Sequence, residues 1–174
     1  MATCVALLRG INLGTRNRVA MADLRALVEA LGGEDVKTYV QSGNVVFRSG
    51  KEPAELEQAI EKAIRSELGL DVTVVVGTAA QVAKLVEGSP FGAADGQHVT
   101  FLAAKPDATR VRGLAETSFD PDEFRVSGRE VYLHLPKGYG GSKLSNAYFE
   151  KELGVRATTR NWRTVTALAE LAAG

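Results

Sequence analysis

Short apolar runs alternate with longer amphipathic stretches along the first half of the chain. Residues 4–8 are continuously apolar and predict a buried strand, whereas the apolar positions between 21 and 31 recur at helical spacing. Residues 36–48 alternate in polarity on both sides of Ser42-Gly43-Asn44, which predicts a hairpin. A second helical stripe from Pro53 and an apolar run at 72–76 follow. The predicted order is βαββαβ.

This order is that of the ferredoxin-like split βαβ unit. In such a unit the first two strands run parallel and the third lies antiparallel between them. The loop after the first strand and the turn at 42–44 should therefore lie at one edge of the sheet. The loop at 69–71 should reach the same edge. Three loops on a rigid sheet would form a shallow site, the usual arrangement for function on a scaffold.

The second half of the chain repeats the pattern faintly. A strand at 98–103, a weak helix near 111–114 and a hairpin at 124–132 precede a helix that stops at Gly154, a short strand at 155–158 and a terminal helix. We predict an α+β fold of two ferredoxin-like subdomains with antiparallel sheets, a degenerate duplication, plus the C-terminal helix. The expected boundaries are 1–77 for the first subdomain, 78–97 for a helical linker and 98–174 for the second subdomain with the terminal helix.

Composition and charge restrict the possible partners. The chain has 174 residues, of which 45% are hydrophobic, so it can bury a substantial core. Its 21 basic and 21 acidic residues balance, which disfavours a protein that coats nucleic acid or a membrane surface. The single cysteine excludes an internal disulfide, and no export signal or membrane-spanning run is evident. We therefore expect a cytoplasmic protein.

The loop between the first strand and the first helix is the strongest candidate site. It is longer and more basic than a simple connection needs to be. Glycine lets backbone N–H groups approach a ligand, and arginine presents a planar fork of donors, so the loop predicts an anion site. Its candidate residues are Arg9, Gly10, Asn12, Gly14, Arg16 and Arg18. Alternatively, the loop is a solvated connection whose arginines pair with acids such as Asp23.

Three further polar clusters accompany this loop. In the hairpin turn, Gln41, Ser42, Gly43 and Asn44 would contact the polar edges of a ligand, or complete hairpin hydrogen bonds. The second glycine loop contributes Gly140, Gly141, Ser142 and Lys143, either as an anion site at a helix N-terminus or as a turn with Ser142 as the helix cap. Arg160 and Asn161 form the third cluster, next to a possible cap at Thr159.

Catalytic chemistry has little support in the sequence. His98 and His134 have no cysteine or acidic neighbours at ligand spacing, so we predict neither a metal site nor a cofactor. Cys4 lies in an apolar strand, where a thiol is usually inert. The helical carboxylates Glu55, Glu57 and Glu61 are expected to form a solvated face.

Several of these segments resemble a bacterial family known only as a domain of unknown function. The shared segments are Val5–Gly14, which contains LLRGIN, Met21 with Asp23-Leu24, Tyr39–Phe47, which contains QSGNVVF, Ser142–Leu144, and Thr159–Trp162 with Thr164-Val165. The resemblance covers nearly the whole chain. It implies an α+β arrangement of two ferredoxin-like subdomains and a shared surface, and it brings no activity.

The favoured function is binding of a small anionic, phosphate-bearing or nucleotide-like ligand. An enzyme acting on a phosphorylated small substrate is the alternative, because the same donors could stabilise charge in a transition state. RNA is less favoured, because an RNA-binding sheet of this kind carries aromatics on its central strands and here Phe47 stands alone. A protein-interaction module is a further alternative.

Overall fold

The chain folds into two compact units in a computed structural model that describes residues 1–174. The first unit comprises Met1–Glu87 together with Thr166–Gly174, and the second comprises Gly88–Val165. The boundaries expected from the sequence lie at 77 and 98 instead, with the whole terminal helix in the second subdomain.

The first unit is a four-stranded antiparallel sheet with helices. Its elements are β1 (Ala2–Leu8), α1 (Met21–Ala30), β2 (Glu34–Thr38), β3 (Asn44–Ser49), α2 (Pro53–Leu68), β4 (Val74–Thr78) and α3 (Ala79–Glu87). The sheet order is β2-β3-β1-β4, so the third strand lies between the first two, as predicted.

The second unit has the same order of strands. Its elements are β5 (Gln97–Leu102), α4 (Ala108–Ala115), β6 (Glu123–Ser127), β7 (Glu130–His134), α5 (Asn146–Leu153) and β8 (Ala157–Asn161), followed by α6 (Trp162–Ala173), which ends in the first unit. The sheet order β6-β7-β5-β8 matches the first sheet strand for strand. The predicted fold class is confirmed.

Each unit has its own hydrophobic core between the sheet and its helices. In the first unit, alternate residues of β1, including Ala6 and Leu8, pack with Leu24 of α1 and Ile60 of α2. In the second, Leu102 and Leu133 pack with Phe149 of α5 and other apolar residues. The alternating apolar residues of the strands face the apolar stripes of the helices, which explains how the helices cover each sheet.

Helix carboxylates bond to the free edge of a strand in both units. Glu61 accepts a hydrogen bond from the backbone N–H of Val74 at 2.9 Å, and Glu57 accepts one from Val76 at 2.8 Å. In the second unit, Glu150 accepts from Ala157 at 3.0 Å. The prediction of a purely solvated acidic face on α2 was therefore wrong for Glu57 and Glu61, because β4 is an edge strand whose N–H groups need acceptors.

Two local predictions in the second half also need correction. Helix α5 begins at Asn146 with Ser145 as its cap, so Ser142 is not the helix cap. Strand β8 extends to Asn161, so Thr159 lies within a strand. The cap of α6 comes from Asn161, whose Oδ1 accepts the N–H of Thr164 at 2.8 Å.

Candidate functional site

The side chain of Asn12 fixes the shape of the loop after β1. Its amide nitrogen donates to the carbonyl of Val19 at 3.0 Å and to that of Gln41 at 2.7 Å. Its Oδ1 accepts the N–H of Val19 at 2.8 Å. One polar side chain thus closes the loop on itself and attaches it to the β2–β3 turn, so the loop is internally braced.

Asn17 gives the loop a second internal brace. Its side-chain amide donates to the carbonyl of Gly10 at 3.0 Å, and its backbone carbonyl accepts the N–H of Asn12 at 2.9 Å. Asn12 and Asn17 both have positive φ, at 55° and 48°, a conformation that asparagine tolerates better than most residues. The loop therefore has a defined conformation.

The β2–β3 turn packs directly against the end of β1. Gly43 accepts the N–H of Leu8 at 2.8 Å and has a φ of +87°. A Cβ at this position would lie 2.8 Å from the Cβ of Leu8 and 2.9 Å from the Cδ1 of Ile11, so only glycine fits. The predicted meeting of the first loop and this turn is confirmed. Nearby, the N–H of Arg9 donates to the carbonyl of Thr73 at 2.9 Å, which brings the α2–β4 loop to the same edge.

Asn44 is fully buried and closes the turn from inside. Its amide nitrogen donates to the carbonyl of Tyr39 at 2.9 Å and to the Oγ of Ser42 at 2.8 Å. Both amide protons are thus used within the protein. In this structure Asn12 and Asn44 hold the loops, whereas the side chains of Gln41 and Ser42 lie exposed at the surface.

The arginines of the first loop differ in their surroundings. Arg9 is half-buried, whereas Arg16 and Arg18 are exposed. Arg18 donates to the carbonyl of Gly14 at 3.1 Å. Neither Arg16 nor Arg18 forms an ion pair with Asp23 or with any other acid. The alternative in which these two arginines pair with nearby carboxylates is therefore not what the structure shows.

The second glycine loop lines a cleft of mixed charge. The cleft, of about 620 Å³, is bordered by Lys137 and Lys143 and also by Asp120 and Asp122. Ser142 donates to Asp122 at 2.8 Å. Gly140 and Gly141 are exposed, with no atoms near an added Cβ. The two carboxylates offset the positive charge of the two lysines in this cleft.

Two of the first N–H groups of α5, next to this loop, are already bonded within the protein. Tyr139 accepts the N–H of Asn146 at 3.2 Å through its hydroxyl, and Ser145 accepts that of Tyr148 at 3.3 Å. An anion at the start of α5 would have to displace these contacts.

Comparisons with known proteins place the chain in a family. The model of a family described as a protein of unknown function, DUF1697, matches residues 1–132. The chain belongs to this family. A conserved bacterial protein, SP0830 from Streptococcus pneumoniae, has a solved structure that superposes with a TM-score of 0.76 at 20% identity and 98% coverage of both chains. This likeness shows a shared fold. No curated protein matches the chain.

The DUF1697 match covers the first loop and the β2–β3 turn. It ends before the second glycine loop and before Arg160 and Asn161. These last two neighbours point to opposite faces of β8. Asn161 caps α6, whereas Arg160 is buried and donates to the Oγ1 of Thr158 at 2.8 Å. Burial lowers the pKa of Arg160 to about 10. The two residues do not form one exposed cluster.

A polar network in the second unit was not predicted from the sequence. Thr159 donates to the Oδ1 of Asn146 at 2.6 Å, and its Oγ1 lies 2.7 Å from that of Thr100. His98 stacks on Tyr139 with ring centroids 5.5 Å apart, and burial lowers its pKa below the usual value. The pairing of β5 with β8 places Thr100 next to Thr159, and no short sequence motif reveals this pairing.

Reactive groups are sparse elsewhere in the molecule. No group of three or more histidine, cysteine, aspartate or glutamate side chains is placed to hold a metal ion. Cys4 is buried, and desolvation, with a smaller contribution from Glu52, raises the pKa of its thiol. No helix is long and apolar enough to cross a membrane.

Proposed function

We propose that the surface formed by the first loop and the β2–β3 turn binds a small anionic ligand that carries a phosphate group. The observation that carries the proposal is that Arg16 and Arg18 are exposed and have no acidic partner. Both guanidinium groups are exposed on a loop braced by Asn12, and no carboxylate neutralises them. We name this surface, residues 9–18 with residues 40–44, the arginine edge.

The internal hydrogen bonds of the loop support a role in ligand binding rather than that of a solvated connection. A flexible loop loses conformational freedom when it closes on a ligand, whereas a braced loop has already lost much of it. Arginine forks bond to phosphate oxygens in pairs, which adds geometric selectivity to charge attraction. In this proposal Arg16 and Arg18 contact the anion, Gln41 and Ser42 contact its polar edges, and Asn12 and Asn44 position the loops. We propose that this binding takes place in the cytoplasm, since a chain with a single cysteine has no internal disulfide and such chains are usual in a reducing compartment.

A thermal-shift screen of phosphate-bearing metabolites and nucleotides tests the proposal. A ligand at 100 times its dissociation constant should stabilise the protein by about 2.7 kcal/mol. Arg16→Ala and Arg18→Ala should each lower the affinity for that ligand about tenfold, because each removes a charge-assisted contact of about 1.4 kcal/mol. The unliganded melting temperature should hardly change, because exposed arginines contribute little to folding.

The control is Arg112→Ala, which removes an exposed arginine from α4 in the second unit. It should leave the affinity unchanged. Equal losses in all three variants would point to nonspecific charge attraction and contradict the proposal, as would the absence of any anionic ligand in the screen.

Salt dependence separates a small ligand from single-stranded RNA. For RNA the log-log slope of affinity against salt is about −0.7 per phosphate contacted, so several contacts give a steep loss. A ligand with one phosphate group should show a shallow dependence. Turnover of the bound ligand would instead favour the enzyme alternative, in which the same arginines stabilise developing charge.

A further inference from the structure

Two large apolar side chains are exposed on the arginine edge. Leu13 is 62% exposed and Val40 is 54% exposed. The only other exposed large hydrophobic residue is Met1, at the start of the chain. Single exposed apolar residues are ordinary on protein surfaces, so their position needs separate support.

Leu13 and Val40 lie on two different loops that one hydrogen bond joins. The amide nitrogen of Asn12 is 2.7 Å from the carbonyl oxygen of Gln41, and Leu13 and Val40 are the neighbours of these two residues in the chain. Across the loop tip, the N–H of Arg16 donates to the carbonyl of Leu13 at 3.0 Å. Leu13, Val40 and the exposed Arg16 therefore lie on the two connected loops that form the arginine edge.

The backbone of Val40 adds an independent observation. Its φ is +46°, in the left-handed region that β-branched residues rarely adopt. Two hydrogen bonds to Asn44 hold the adjacent Tyr39. The N–H of Tyr39 donates to the carbonyl of Asn44 at 3.0 Å, and the side-chain amide of Asn44 donates to the carbonyl of Tyr39 at 2.9 Å. Glycine or asparagine would adopt this conformation at lower cost, so the turn keeps an exposed valine at the expense of strain. Such strain concentrates at ligand-binding sites.

From these observations we infer that the ligand of the arginine edge is an organic phosphate with an apolar substituent. Arg16 and Arg18 bind the phosphate, and Leu13 and Val40 pack against the apolar part. The inference rests on the proposed function and names its ligand class. A purely polar anion would leave both apolar side chains in water, whereas an uncharged apolar ligand would leave both guanidinium groups without an anion.

A pair of phosphates of similar charge tests the inference. Inorganic phosphate and phenyl phosphate are titrated into the protein by NMR or calorimetry. Phenyl phosphate should bind about tenfold more tightly, the gain that corresponds to burial of about 55 Å² of apolar surface. In Leu13→Gln and in Val40→Thr, the ratio of the affinity for phenyl phosphate to the affinity for inorganic phosphate should fall from about ten toward one. Val40→Thr keeps the β-branched shape, so it changes polarity more than volume.

Val126→Thr is the control, because it makes the same side-chain change at a half-buried position on β6 in the second unit. It should preserve the gain from the phenyl group. If inorganic phosphate binds in an Arg16-dependent manner but phenyl phosphate binds no more tightly, the inference is overturned and the proposed function stands. The inference is also overturned, and the proposed function again stands, if the gain survives in both Leu13→Gln and Val40→Thr. If neither anion binds, both the inference and the proposed function fail.

Discussion

Small polar residues hold much of the arginine edge in place. Asn12 connects segments 29 residues apart in the chain. Asn44 is fully buried, and its amide donates hydrogen bonds to Tyr39 and Ser42 within the turn. Side-chain amides of this kind are stabilising because their donors and acceptors are paired, and the loss of a partner would be most costly at the buried Asn44. At the residue scale, the edge is therefore a structure held by side-chain to backbone bonds.

Gly43 provides the sharpest stability prediction at this scale. Gly43→Ala should destabilise the protein by about 3 kcal/mol, because the positive φ penalises an L side chain and the new Cβ would meet Leu8 and Ile11. Denaturant unfolding followed by circular dichroism measures the change in the free energy of unfolding.

Gly14→Ala separates the two contributions to that loss. Gly14 also has a positive φ, at +60°, but no atom lies within 4 Å of an added Cβ. It should cost only about 1 kcal/mol, the conformational part alone. Equal costs for Gly43→Ala and Gly14→Ala would mean that close packing against β1 contributes nothing.

The sequence predicts these turns better than it predicts their contacts. Ser42-Gly43-Asn44 indicates a turn because glycine and asparagine adopt conformations that other residues avoid. The bond from Asn12 to Gln41 depends instead on the tertiary approach of two loops, which topology brings to one edge without specifying which atoms pair. The sequence also left open whether Asn44 binds a ligand or completes the hairpin, and the structure shows its amide protons used in the turn.

At the scale of elements, helix carboxylates bond to the edge strand of each sheet. Strands β4 and β8 each have a free edge, and α2 and α5 supply carboxylates that accept their N–H groups. An unpaired strand edge is a template for association with another chain, so these bonds protect it as well as stabilise it.

Glu61 allows this role to be measured. Glu61→Ala should lower the free energy of unfolding by about 1.5–2 kcal/mol, because the N–H of Val74 loses a charged acceptor. Glu61→Gln keeps a neutral acceptor and should cost less. The control is Glu67→Ala, which removes an exposed carboxylate from the same helix and should change stability by no more than about 0.5 kcal/mol. Equal effects for Glu61→Ala and Glu67→Ala would show that the bond to β4 contributes nothing.

The periodicity of apolar residues predicts which segments are helices and which are strands, but it does not predict where several of them begin and end. Leu144 is buried in the core and resembles the first position of a helical stripe, yet α5 starts at Asn146, where Ser145 supplies a cap. The strand β8 runs through Thr159 because Thr100 and Thr159 pair across the sheet. Local sequence does not show a cross-sheet partner 59 residues away.

At the scale of the whole molecule, the chain uses one arrangement twice. Both sheets have the same strand order, and each is followed along the chain by a further helix, α3 or α6. This repetition could be predicted because both hairpins turn on a Ser-Gly pair between helical stripes. The chemical surfaces differ between the two units. The first presents Arg16 and Arg18 without acidic partners, whereas the second presents lysines and aspartates around one cleft.

The central claim is that an anion binds at the arginine edge of the first unit. The most direct test is a titration of ¹⁵N-labelled protein with pyrophosphate, observed by NMR. Amide shifts should change saturably in residues 9–18 and 40–44, and these changes should disappear in an Arg16→Ala, Arg18→Ala double variant. Shifts confined to residues 137–143, or no saturable shifts at all, would contradict the claim.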